Sequence, residues 1–129
     1  MIQEAMYNFL NSITDLTDLV QDINWIDGNQ QNAVLLYPAV TYRVISAPSL
    51  HLTSDQWQRW RFYIVGDNKN ELYDIKKILE DNLNYAIGEL DPTTGFKVDF
   101  IEKIDENEIL YDSDTKLYTK FLDFRIIYH

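Results

Sequence analysis

Carboxylates are the chemically useful side chains this sequence supplies most freely. Five of them crowd one stretch: Asp105, Glu106, Glu108, Asp112 and Asp114. Oxygen ligands at that density are what Ca²⁺ takes. The stretch lacks the glycine and the D-x-[DN]-x-[DN] spacing of a calcium loop, so it reads as a solvated acidic connection. A glycosidase pair has no cleft signature around it in a domain this small. Other catalytic types are sparse. The two histidines, His51 and His129, have no metal-ligand spacing to each other. Cysteine is absent, which removes thiolate nucleophiles, thiolate ligands and disulfides. No phosphate-cradling glycine loop, G-x-S-x-G or H-E-x-x-H occurs, and the four glycines are isolated. A Ser/His/Asp triad assembles in space, and nothing local favours one. The expectation is a non-enzyme with no metal and no cofactor.

A second group mixes aromatic and basic residues. Trp57, Arg59, Arg61 and Tyr63 alternate with Gln58, Trp60, Phe62 and Ile64. Side chains alternate across a strand, so the first four share a face and Trp60 faces the core. Tryptophan beside arginine can stack on nucleic-acid bases. The net charge of −10 repels phosphate, however, and the same residue types are enriched at protein–protein contacts. Covering by another strand of the same chain is an equal reading of that face. The closing stretch from Leu117 to His129 places Tyr118, Leu122, Phe124, Ile126 and Tyr128 on one face, interrupted by Lys120. Leu117, Thr119, Phe121, Asp123, Arg125 and Ile127 fall on the other. A strand apolar on both faces needs two covers, one of them the core and the other a partner subunit. Trp57, Arg59, Arg61, Tyr63, Asp123 and Arg125 are therefore the candidate subunit or partner contacts. Changing Arg59 and Arg61 to Glu is expected to block assembly without unfolding the chain.

The elements that position these residues follow from periodicity. At 129 residues and 46% hydrophobic, the chain suits one domain over 1–129 with a sizeable core. Aromatic residues make up 14% of it, far from a disordered composition. No secretory signal pattern opens the sequence, and no apolar run approaches a membrane span. A soluble, cytosolic or particle-bound protein is expected. Ile2, Ala5, Met6, Phe9, Leu10 and Ile13 keep helical spacing, as do Leu16, Leu19, Val20 and Ile23 after a Thr14 N-cap. Asp27–Asn29 reads as a turn, Val34–Ile45 as a strand starting near Pro38, and Ser46–Gln56 as a connecting arm. Trp57–Val65 is a second strand. Asn68 caps a long helix whose apolar stripe runs from Leu72 to Ile87, ended by Gly88. Phe96–Ile104 is a third strand with Phe96, Val98 and Phe100 inward, and the acidic connection leads to the fourth. The fold class predicted is α+β: an antiparallel or mixed four-stranded sheet, a long helix packed on one face, and two short N-terminal helices.

The ordered segments resemble the tail completion (tail terminator, or tail-to-head joining) proteins of long-tailed bacteriophages with non-contractile tails. The resemblance runs through EAMYNFL and DLTDLV, then YPAVTYRVIS, WQRWRFYIV and NELYDIKKILEDNL, and closes on LYDSDTKLYTKFLDFRIIYH. It spans nearly the whole chain. It implies a non-enzymatic virion protein that forms a ring, usually a hexamer, at the head-proximal end of the tail, with host cytoplasm as the site of assembly. Its partners would be further copies of itself, the major tail-tube protein and the head completion or connector protein. Genomic DNA would pass through the ring without sequence-specific binding, and no membrane is involved. In a ring, Asp105, Glu106, Glu108, Asp112 and Asp114 would line the lumen or face solvent, since an acidic lumen does not hold DNA. A head completion or connector ring protein, or a small non-catalytic binding module, are the alternative readings.

Overall fold

Trp60, Phe62 and Ile64 are fully buried on one side of the strand Gln56–Gly66 (β3), while Trp57, Arg59, Arg61 and Tyr63 are half-exposed on the other. The computed structural model that shows this describes residues 2–25, 36–46 and 56–128. Leu117–Tyr128 (β8) repeats the pattern, with Leu122, Phe124 and Ile126 buried. The two strands pair antiparallel along their length, from Gln56 opposite Tyr128 to Gly66 opposite Tyr118. Ala39–Ser46 (β2) pairs antiparallel with the other side of β3, and Asp22–Trp25 (β1) lies parallel to β2. Phe100–Glu106 (β6) and then Leu110–Asp112 (β7) flank the far side of β8.

Among the described residues the sheet is therefore mixed and has six strands, in the order β1-β2-β3-β8-β6 with β7 also on β8. This corrects the expected four. β1 is hidden in sequence because Ile23 continues the spacing of Leu16, Leu19 and Val20. The second helix, Thr14–Leu19 (α2), in fact stops at Val20, and Ile23 is buried in a strand. Its N-cap is Ile13, with no side-chain cap, rather than Thr14. β7 lies inside the acidic connection, where three exposed residues give no alternation to read.

The expected strand 96–104 is two strands. Phe96–Val98 (β5) forms a separate hairpin with Gly88–Asp91 (β4), and the chain bends at Asp99 into β6. Val98 and Ile101 are both buried, three residues apart, a spacing no continuous strand allows. Ile101, not Phe100, is thus the inward residue.

The long helix is Lys69–Leu83 (α3), with the Asn68 side chain accepting the Asn70 amide at 2.9 Å. It ends before Ala86 and Ile87, because residues 84–86 turn to cover the outer edge of β6. The Tyr85 amide donates to the Ile101 carbonyl (2.6 Å), and Ile101 returns a bond to the Ala86 carbonyl (3.1 Å). Gly88, at φ +93°, starts β4 instead of ending the helix.

The helices Ile2–Ser12 (α1), α2 and α3 share one core with the inner sheet face, through Met6, Leu10, Leu16, Leu72, Ile75, Leu79 and Leu83. An aromatic run crosses that face. Tyr42 lies 6.1 Å from Trp60 and 5.7 Å from Phe62, and Phe124 meets Phe62 edge-on at 5.5 Å. Such contacts add to area burial when rings sit offset or edge-to-face. The Asp27–Asn29 turn, the start of the expected strand at Val34, most of the Ser46–Gln56 arm with His51, and His129 lie outside the described residues.

Candidate functional site

The second sheet face carries every arginine of the chain. Arg43 stands on β2, Arg59 and Arg61 on β3, and Arg125 on β8. Antiparallel register sets them in adjacent rows: Arg43 opposite Arg61, Arg61 opposite Asp123, and Arg59 opposite Arg125. Trp57, Tyr63, Phe121 and Ile127 fill the same face, Trp57 opposite Ile127 and Tyr63 opposite Phe121.

Asp123 holds the centre. Its carboxylate is fully buried and accepts from Arg59 Nε (2.8 Å) and Nη2 (2.5 Å), and from Arg61 Nε (2.7 Å) and Nη2 (3.0 Å). Burial pushes the carboxyl up, but the hydrogen bonds from Arg61 and Arg59 outweigh it and hold it below the ordinary carboxylate range. The hydrogen bond to Asp123 in turn raises Arg61. Arg61 also lies over the Phe121 ring, 4.0 Å from its centroid, a close cation–π contact. Arg43 donates to the Tyr63 hydroxyl at 3.0 Å, and Arg125 pairs with Glu102 on β6.

Four of the expected contact residues, Trp57, Arg59, Arg61 and Tyr63, thus share this face, and Arg125 joins them. Asp123 does not present itself to a partner; it lies beneath the guanidinium groups and fixes their direction. The Arg59/Arg61 charge reversal would set two glutamates against that buried carboxylate, so it would unfold the chain as well as alter the face. Sequence reasoning missed Arg43, Glu102 and Phe121 as members. Arg43 had a signal: it shares strand parity with Thr41, which an antiparallel partner sets opposite Tyr63.

The five carboxylates of the acidic stretch do not stay together. Asp105 and Glu106, successive on β6, face opposite sides of the sheet, and a bulge between Lys103 and Asp105 brings Glu106 to the side of Lys103. Asp105 turns to the arginine face, 3.5 Å from Arg59. Glu106 turns to the helical side, where three lysines enclose it: Lys103 at 2.5 Å, Lys120 at 2.8 Å and Lys76 at 3.0 Å. Partial burial raises the Glu106 carboxyl, but the hydrogen bonds from Lys103, Lys120 and Lys76 win and bring it down to about 2. Lys120, the cation interrupting an apolar face, is buried and also donates to the Asn107 carbonyl. Glu108, Asp112 and Asp114 remain exposed on or beside the β7–β8 hairpin. There the Asp112 carboxylate accepts the Asp114 amide (2.9 Å) and sets the turn.

The cleft beside Glu106 is shallow. Its roughly 490 Å³ is lined by Lys69, Tyr73, Lys76, Lys120 and Glu106, among others, and of these Lys76 and Lys120 are already paired with Glu106. Among the described residues no group of three or more His, Asp or Glu is placed to hold a metal. None of their helices is long and apolar enough to cross a membrane.

What the arrangement can do is bind a surface. A rigid guanidinium row between aromatic rings suits carboxylates presented by a protein.

The fold has a solved counterpart. The chain is similar to a chain in a structure described as the virion of a native gene transfer agent (GTA) particle, with a TM-score of 0.66 over 97% of this chain and 92% of that one. The two are 12% identical, so what they share is the fold. No protein-family model and no curated protein matches the sequence.

Proposed function

We propose that this chain is a non-enzymatic structural protein of a phage-like virion. It forms a ring at the head-proximal end of the tail, stops growth of the tail tube there, and joins the tail to the capsid connector. The observation that carries this reading is the likeness of fold, end to end in both chains, to a component of a virion particle. The segment order that resembles tail completion proteins agrees with it, and so does a sheet face whose arginines and rings suit protein contact. The chain assembles in the host cytoplasm and ends in the virion, and its acidity lets DNA pass without adhering.

Polymerisation of the tail-tube protein from the same genome tests the proposal. Added at substoichiometric amounts, the chain should co-sediment with tubes and reduce the plateau of light scattering by shortening them. Tubes of unchanged length with no bound chain would refute the reading.

A further inference from the structure

We infer that the arginine face seats on the acidic outer side of α1 and α2 of a neighbouring copy. This inference rests on the ring reading and names the contact that would build the ring. No lysine or arginine precedes Arg43, whereas Glu4, Asp15 and Asp18 are exposed on the two N-terminal helices. Those helices send Met6, Leu10 and Leu16 into the core against the inner sheet face. Their carboxylates therefore point away from the sheet, and the arginines stand on its other side. The domain is a two-layer slab whose arginine face, although Asp105, Asp123 and Glu102 offset part of its charge, lies on the side of the sheet away from the acidic helices.

The symmetry follows from that polarity. A two-fold contact through the arginine face would oppose arginine with arginine. A head-to-tail contact matches opposite charges in every copy, and such heterologous contacts close into a ring when the rotation from copy to copy closes. The arginine side also keeps guanidinium groups within reach of a neighbour: the Arg59 side chain is 33% exposed and that of Arg125 43%. A carboxylate arriving on a guanidinium edge engages two N–H groups at once. Tyr7, half-exposed on α1, supplies a ring to set against the Trp57 side of the face.

Two double variants test the contact while leaving Asp123 and the lysine cluster intact: Arg43→Glu/Arg125→Glu on the face, and Asp15→Lys/Asp18→Lys on the helices. Thermal unfolding first confirms that each is folded, and Arg125→Gln with Asp18→Asn replaces any pair that is not. Sedimentation velocity then follows the full chain from micromolar to millimolar concentration. Wild type should associate, each variant alone should associate at least tenfold more weakly, and an equimolar mixture of the two should associate again. Variants that match wild type, or a mixture that stays monomeric, would overturn the inference. So would complementation of the face variant by Asp112→Lys/Asp114→Lys in place of the helix variant, or displacement of the contact by single-stranded DNA. A wild type monomeric throughout would also overturn it, yet tube shortening by that monomer would leave the proposed function standing.

Discussion

Asp123 shows how one buried carboxylate organises a surface. It accepts four hydrogen bonds from two arginines that remain partly exposed, and it has no exposure of its own. Removing its partners should therefore cost more than removing Asp123. We expect Arg59→Ala/Arg61→Ala to lose about 3–5 kcal/mol, the usual penalty for an uncompensated buried charge. Adding Asp123→Ala to that pair should restore much of the loss, because freed arginines would reach water while a stranded aspartate cannot. Urea unfolding of the three proteins decides it, and a triple variant no better than the double would contradict the assignment. Glu106 gives the pH counterpart. Its folded pKa, about 2, lies below the ordinary carboxylate value, so the unfolded chain binds the proton first on acidification. The stability it contributes is full at neutral pH and declines from about pH 5 toward 2. Asp123 and Asp91, also held low, add to the same acid loss. Glu106→Gln should be less stable than wild type at pH 7 and fall less steeply in acid. Parallel pH profiles of the urea midpoint would show that the lysines do not act through Glu106.

At the scale of elements, legibility in the sequence depended on length and on a single period. β3 and β8 were readable because eleven and twelve residues of alternation leave no other geometry. That alternation also assembled most of the arginine face. α3 was readable from its cap and stripe, but its end was not. Ala86 and Ile87 continue the apolar pattern, and only tertiary bonds to β6 pull them out of the helix. The four-residue β1 was masked by helical spacing, and the break at Asp99 was masked because apolar residues lie on both sides of it. The burial of Asp123 and the lysine cage around Glu106 were beyond sequence reading. Both depend on cross-strand register, and the cage also on a bulge. The helix end yields a direct comparison. Ile75→Ala, fully buried on α3, should cost about 2–5 kcal/mol in urea unfolding. Ile87→Ala, 73% exposed, should change stability by less than about 0.5 kcal/mol. Similar losses at the two positions would mean that the stripe runs on to Ile87.

For the whole molecule, the decisive property is polarity. Helices cover one side of the sheet and leave arginines and rings on the other, within a chain of net charge −10. A domain with two unlike faces is suited to repetition around an axis. Salt should weaken the contact if charge drives it, since exposed ion pairs are screened. Electron microscopy of tail-tube protein assembled with and without the chain tests the central claim most directly. The account predicts tubes of bounded length, each closed at one end by a ring of this protein. Long tubes with bare ends, or the chain distributed along the tube wall, would contradict it.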